Sequence, residues 1–325
     1  MIAYIVRRVF YAIPILIGVN LITFALFFVV NTPDDMARMA LGAKRVTPDA
    51  IEKWKAERGY DRPLLWNSTA KGVDQVTDTI FFKKSVRLFA LQFDNADDGR
   101  SIGNEIVTRM GPSLAVQVPV FVIGIAVNIT FALILAFFRA TYLDFWGVVL
   151  CVALMSISGL FYIIGGQYLV AKTLALVPIS GYSGSIDAAK FVLLPVLIGA
   201  FSGIGSGTRW YRTVFLEEMG KDYVRTARSK GLAERTVLFR HVLRNGLIPI
   251  LTGVVAGIPL LFIGSLLMES FFGIPGLGSF TIDAIQAQAF GVVRSMVFLG
   301  AALYIVGLVL TDISYTLVDP RVRFE

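Results

Sequence analysis

Few residues of this sequence could do covalent or metal chemistry. Cys151 and His241 are the only cysteine and the only histidine in 325 residues. One cysteine permits no intramolecular disulfide and no thiolate metal cluster, and a lone histidine argues against a histidine-based metal or catalytic site. The tract Gly203-Ile204-Gly205-Ser206-Gly207 has glycine spacing that could cradle a phosphate or form a nucleophile elbow. No Lys-Ser or Lys-Thr pair follows it, as a P-loop requires. An elbow would need a strand-to-helix turn and an available histidine. The tract lies in an apolar run, where close helix packing is its expected use. The chain therefore reads as a non-enzyme, with no metal site, cofactor or nucleotide motif of its own.

The charged chemistry concentrates elsewhere, in "DYVRTARSKGLAERTVLFRHVLRNGLIP", Asp222 to Pro249. At 100° per residue, Leu216, Met219, Tyr223 and Ala227 form an apolar stripe. Glu217, Glu218, Lys221, Asp222, Arg225 and Arg228 gather opposite. Gly231 follows Lys230 and suits a left-handed residue that ends a helix, so a second helix is predicted from about Ala233 to Arg244. There Val237, Leu238 and Val242 share one face, with Phe239 and Leu243 on the other. A short helix with two apolar faces asks for two partners. A basic loop that merely stays in the cytoplasm is the plainer alternative.

The elements that position this segment are membrane spans. Hydrophobic residues make up 56% of the chain and charged residues 16%, against roughly 25% charged in soluble domains. Six runs without charged side chains approach or exceed the length of about 20 residues needed to cross a hydrocarbon core: Val9–Val30, Ser113–Phe138, Phe145–Ala171, Phe191–Thr208, Gly246–Met268 and Ser295–Thr311. Pro14, Pro119, Pro195, Pro249 and Pro259 lie in these runs and free backbone groups that neighbouring helices must satisfy. Arg7 and Arg8 before the first run resemble a signal peptide, but the run is long for an h-region and no small-x-small cleavage site follows. Short-loop cations set orientation. Arg7, Arg8, Arg139, the segment Arg209–Arg244, Arg321 and Arg323 all fall on one side if the runs alternate, which predicts both termini in the cytoplasm.

The expected organisation is thus residues 1–30 as N-terminus and first span, 31–112 as an external subdomain, and 113–325 as a five-span core with a cytoplasmic loop at about 209–245. The external segment contains a helix-like patch at Pro48–Arg58 and the polar tract "DNADDGR". The net charge of +7 then reflects cytoplasmic loops, not a nucleic-acid partner. In "FFGIPGLG", Phe271 to Gly278, Pro275 and three glycines allow a tight external turn whose two phenylalanines could anchor at the interface. Asn20, Gln117, Asn128, Ser156, Gln167 and Ser202 are neutral polar groups within the runs, and interhelical hydrogen bonding is the reading favoured for most of them.

Ala227, Gly231 and Leu243 in this order resemble the cytoplasmic signature loop of ABC-importer permeases. "DYVRTARSKGL" and "HVLRNGLIP" resemble the dipeptide and oligopeptide branch more specifically. So do "ERGYDRPL" (Glu57–Leu64), "ESFFGIPGLG" (Glu269–Gly278), the terminal "DPRVR" (Asp319–Arg323) and the start "RRVFYAIPILIGV". The general signature opens with Glu where Arg225 stands and has Pro where Arg244 stands; both replacements fit the peptide branch. Nearly the whole chain is covered, apart from Leu65–Asp98, which matches no motif.

The resemblance implies an all-α polytopic protein in the type I ABC-importer permease arrangement. It implies a second homologous permease, two ATPases that bind ATP and magnesium, an external solute-binding protein, and surrounding lipid in a bacterial inner membrane. It makes Asp222, Tyr223, Arg225, Thr226, Ala227, Arg228, Lys230 and Gly231 a coupling helix seated in an ATPase groove, with Tyr223 and Ala227 packed closely there. Val237, His241, Leu243 and Arg244 belong to the second cytoplasmic helix. Glu269, Phe272, Pro275, Gly276 and Gly278 mark the external turn. Peptides are the implied substrate, with nickel or oligosaccharides as alternatives. The rival class is a self-contained channel or ion-coupled carrier. A proton-coupled carrier normally places ionisable groups at membrane depth, and the six runs contain none.

Overall fold

The computed structural model describes residues 2–42, 46–96, 99–184 and 187–318; the "DPRVR" motif, with Arg321 and Arg323, lies outside them. Among the described residues the regular elements are helical, apart from one isolated antiparallel bridge between Asn95 and Ser101. Four helical stretches are long and apolar enough to cross a membrane: Phe10–Val30, Ile102–Phe137, Glu234–Ile263 and Phe290–Ser314. Two bent pairs, Tyr142–Ser156 with Gly159–Thr173 and Ala188–Ser202 with Ile204–Met219, bring the number to six if each pair is one span.

The differences from the apolar runs are local and have backbone causes. Phe145–Ala171 reads as one span but turns by 87°, because Ile157 and Ser158 are both extended. The fourth run bends by 47° at Gly203. The fifth starts earlier and stops sooner than Gly246–Met268: Gly264, at φ 76°, ends it. The last helix begins at Phe290, before the uncharged run, so it carries Arg294 ahead of that run.

Two compact units are formed, Met110–Ser279 with Val306–Glu325, and Ile2–Arg109 with Phe280–Ile305. In the second unit, helix α1 (Ile2–Ala25) continues as a wider π turn to Val30. Thr32 then caps α2 (Pro33–Leu41): its hydroxyl accepts from the Asp35 N–H while Asp35 accepts from the Thr32 N–H, with Pro33 preset in the first turn. Thr47 caps α3 (Pro48–Arg58), which ends at Gly59 with φ 68°. Their apolar faces meet in a cluster of Phe24, Phe28, Met36, Ile51, Trp54, Tyr60 and Ile80.

The first unit takes in most of α4 (Ile102–Phe137), then α5 (Tyr142–Ser156), α6 (Gly159–Gly166), α7 (Ala188–Ser202) and α8 (Ile204–Met219). The glycine tract does packing work here. A Cβ at Gly205 would meet the Cys151 carbonyl oxygen at 2.5 Å, so α5 and α8 approach backbone to backbone. Beside it, Thr208 Oγ1 donates to Asn128 Oδ1 at 2.9 Å, both residues buried. Asn128 is therefore an interhelical hydrogen-bonding group, whereas Ser156 and Ser202 donate to carbonyls of their own helices.

Candidate coupling surface and the turn around Glu269

The expected first cytoplasmic helix is two helices. α8 stops at Met219, and Gly220 followed by an extended Lys221 separates it from α9 (Asp222–Ser229). Asp222 in the first turn and Arg228 in the last oppose the helix dipole favourably. The interruption rotates the stripe: Val224 and Ala227 are fully buried, and Tyr223 is only half-buried. Both buried residues pack with Ala132, Leu133, Tyr211, Phe215, Val237 and Val242 of the same chain. This corrects the expectation that Ala227 packs into a partner's groove, since its own core already covers it. The side left open carries Asp222, Arg225, Thr226 and Ser229.

Two devices fix how α9 is presented. Gly231 has φ 75°, its N–H donates to the Arg228 carbonyl at 2.9 Å, and the Leu232 N–H donates to the Ala227 carbonyl at 3.4 Å. That is the paired closure of a helix end by a left-handed glycine, as the spacing predicted. Arg228 also donates twice to Glu234, at 3.0 and 2.6 Å, and this partner raises the Arg228 pKa. Lys230 and Arg225 are exposed, Arg225 lying 3.5 Å from Asp222. Tyr223 donates its hydroxyl to Glu218. Burial first, and that carboxylate second, push its pKa up to about 12.

The second expected helix is not separate. Glu234–Thr236, a π turn at Val237–Leu243 and α10 (Arg244–Gly257) form one continuous stretch that becomes the span. A π turn adds a residue per turn, which brings Leu243 onto the cluster of Val237, Leu238 and Val242 and leaves Phe239 exposed. The two apolar faces are thereby reduced to one residue. His241 is half-buried, its carbonyl accepting from Asn245, and Arg244 is exposed. Sequence reasoning missed the bidentate pair of Arg212 on buried Asp144, at 2.8 and 2.7 Å, which ties α8 to the start of α5. Asp144 stands just before the apolar Phe145 and carried no pattern to mark it.

The second site residues converge on Glu269, in α11 (Leu266–Phe272). Its carboxylate is fully buried and accepts from the backbone N–H groups of Ser265 (3.1 Å), Gly278 (2.7 Å) and Ser279 (3.1 Å). Ser113 Oγ accepts from the Leu277 N–H at 2.8 Å. Side chains at Gly264 or Gly276 would strike the carboxylate. Pro275 lies between buried Ile274 and Gly276 in this fold-back. Phe272 is buried while Phe271 is 41% exposed, so one phenylalanine and not two is available to an interface. Gln167 Nε2 braces the turn by donating to the Phe271 carbonyl at 2.9 Å and the Ile179 carbonyl at 3.1 Å.

Residues 107–324 match a family described as "Binding-protein-dependent transport system inner membrane component", and residues 1–81 match its N-terminal counterpart. The chain belongs to this family. It is a multi-pass inner membrane permease component of a transport system. Relatives align over the full length of both chains. A Brucella abortus (strain 2308) protein named for a peptide transport system permease is 33% identical over 332 residues. The dipeptide transport system permease protein DppB of Escherichia coli (strain K12) is 29% identical over 355 residues. The di/tripeptide transport system permease protein DppB of Pseudomonas aeruginosa (strain UCBPP-PA14) is 28% identical over 353 residues.

Proposed function

We propose that this permease forms half of the translocation pathway of an ATP-driven importer of short peptides. The observation that carries the reading is α9: a short helix anchored by a buried stripe, closed by Gly231, and left with an open polar face of Asp222, Arg225, Thr226 and Ser229. A helix fixed on one side and charged on the other is suited to transmit movement from a docked subunit. The partners on this reading are two ATPases, which bind ATP and magnesium, a second permease, and an external binding protein that delivers the solute. The peptide substrate is carried over from the names of the full-length relatives. Both termini are cytoplasmic and residues 31–112 are external.

Reconstitution tests the reading. Proteoliposomes holding both permeases and the ATPases, supplied with binding protein, are expected to accumulate a dipeptide only with ATP. Uptake by this chain alone on an ion gradient would sink it, and a competitor panel with nickel and oligosaccharides decides the substrate. A cysteine replacing Ser68 is expected to react with an impermeant reagent without rupture of the inner membrane.

A further inference from the structure

The surface of the first unit carries an apolar groove along α4, and all of its wall belongs to the stretch Met110–Ser279. Two adjoining cavities make it up. One, of about 300 Å³, is walled by Leu133 and Phe137 of α4, by Phe138 just after it, and by Leu238 and Phe239 of the stretch Glu234–Ile263. The other, of about 480 Å³, is walled by Ala126 of α4, Leu150 and Leu154 of α5 and Phe201 of α7. They share Thr130 and Ile134. From Ala126 to Phe137 α4 rises by about 17 Å, a little over half of a hydrocarbon core of roughly 30 Å. The Thr130 hydroxyl donates to the Ala126 carbonyl at 2.7 Å, so it asks for no partner in the groove. The length of the groove suits hydrocarbon.

Charge enters at one end alone. Arg235, in the cavity of Phe138 and Phe239, is the one charged residue in either wall. It is exposed and pairs with no carboxylate among the described residues. The carboxylates closest to this end in sequence are already engaged. Glu234 accepts two hydrogen bonds from Arg228, and Asp144 accepts two from Arg212 and one from the Ala140 N–H. Arg139, the residue after Phe138, is exposed as well. The groove therefore has an apolar length and a cationic end. Under the proposed topology that end is cytoplasmic, because Arg139 and Arg235 both lie in the short loops assigned to that side.

We infer that this groove holds an acyl chain of an anionic phospholipid of the cytoplasmic leaflet, with Arg235 meeting the negatively charged headgroup. Basic pockets between spans on the cytoplasmic side are suited to such headgroups. A zwitterionic lipid would bring a cation of its own to the rim, and an apolar helix of a partner subunit would fill the length while leaving Arg235 unbalanced. The floor of the groove ties it to the coupling surface: Leu133 and Leu238 are buried members of the cluster that also holds Val224 and Ala227. A bound chain thus rests on the side chains that seat α9. The inference depends on the proposed topology only for the leaflet, and on the peptide substrate not at all.

The complex of both permeases and the ATPases is placed in nanodiscs of equal dioleoyl phosphatidylglycerol and dioleoyl phosphatidylcholine, then released, and intact-complex mass spectrometry reads the lipids it retains. The wild type is expected to retain phosphatidylglycerol over phosphatidylcholine by about fivefold, the effect of one cation near a headgroup. Arg235→Gln is expected to abolish that preference and Arg235→Lys to keep it; because Arg235 is exposed and unpaired, neither change threatens the fold. Ile134→Trp, which fills the groove from a residue 43% exposed, is expected to remove one retained lipid. Arg240→Gln, an exposed cation of the same stretch that does not line the groove, is expected to retain lipid as the wild type does. Equal retention of the two lipids by the wild type, or an unchanged preference in Arg235→Gln, would overturn the assignment. An equal loss in Arg240→Gln would overturn it too, by reducing the effect to general surface charge. So would efficient cross-linking of Phe239→Cys to the second permease, since a protein surface would then cover the groove.

Discussion

Two parts of one unit handle charge in opposite ways. The turn around Glu269 turns its charge inward: a fully buried carboxylate is surrounded by three backbone N–H groups, and Gly264 and Gly276 stand where a side chain would collide with it. α9 turns its charge outward: Val224 and Ala227 go into the core and the polar side chains face away from it. In the turn, charge is used to hold a backbone shape that is hard to build from apolar contacts alone. In α9, apolar contacts hold the shape and the charge is left available. Substitutions at the turn should therefore be read in stability, and substitutions on the open face of α9 in coupling.

The largest effect is expected at the turn. Glu269→Ala leaves the N–H groups of Ser265, Gly278 and Ser279 buried without an acceptor, at about 1–3 kcal/mol each. The folded yield and the thermal midpoint in detergent should both collapse. Gly276→Ala, which drives a methyl into the carboxylate, should act in the same direction. A Glu269→Ala protein with a wild-type midpoint would mean that the turn is not held by this carboxylate.

Next in size is Ala227→Asp. Because Ala227 packs against Ala132, Phe215 and Val237 within the chain, a carboxylate there costs about 2–4 kcal/mol in stability before any partner is considered. Loss of ATPase binding by this variant would then be a consequence of a displaced α9. A normal midpoint together with lost ATPase binding would instead return Ala227 to the docking surface.

How much of this is legible in the sequence depends on whether a feature is local. Gly231 is legible because a glycine after Lys230 needs no distant partner to announce a left-handed helix end. The caps at Thr32 and Thr47 are of the same kind, although only the patch from Pro48 to Arg58 is read as a helix. The break at Gly220 is not legible, since the apolar spacing runs from Leu216 through Ala227 as if uninterrupted and an extended Lys221 has no signature. The right-angle bend at Ile157–Ser158 is hidden for the same reason: an apolar run records hydropathy, not direction. Glu269 reads only as one residue of the external turn because its acceptor role depends on backbone N–H groups four residues earlier and nine and ten positions later. Arg294 escapes notice because the uncharged run begins one residue after it.

Gly231→Val and Arg225→Glu separate presentation from contact. Gly231→Val forces a branched side chain into left-handed backbone, at about 1–2 kcal/mol, and should loosen α9 and lower substrate-stimulated ATP hydrolysis together. Arg225→Glu lies on the open face and should change stability by no more than about 0.5 kcal/mol, yet reduce ATPase co-purification and uptake. Wild-type uptake by Arg225→Glu would remove the open face from the coupling surface and leave α9 as a basic cytoplasmic loop.

The smallest effect expected is a pH dependence confined to the alkaline range. Tyr223 titrates near 10 in the unfolded chain and at about 12 in the folded one, because burial and the Glu218 carboxylate both oppose the phenolate. A raised pKa means that the folded protein binds the proton more tightly. The contribution to stability is therefore complete below pH 10 and is lost as pH rises from 10 through 12. Tyr223→Phe cannot lose it. The two proteins should thus show different slopes of midpoint against pH only in that window, wild type falling faster, with Tyr223→Phe offset at lower pH by the lost hydrogen bond. Parallel curves between pH 10 and 12 would show that Tyr223 is hydrated in the folded protein. The contact of α9 with Glu218 would then be too open to help present the helix.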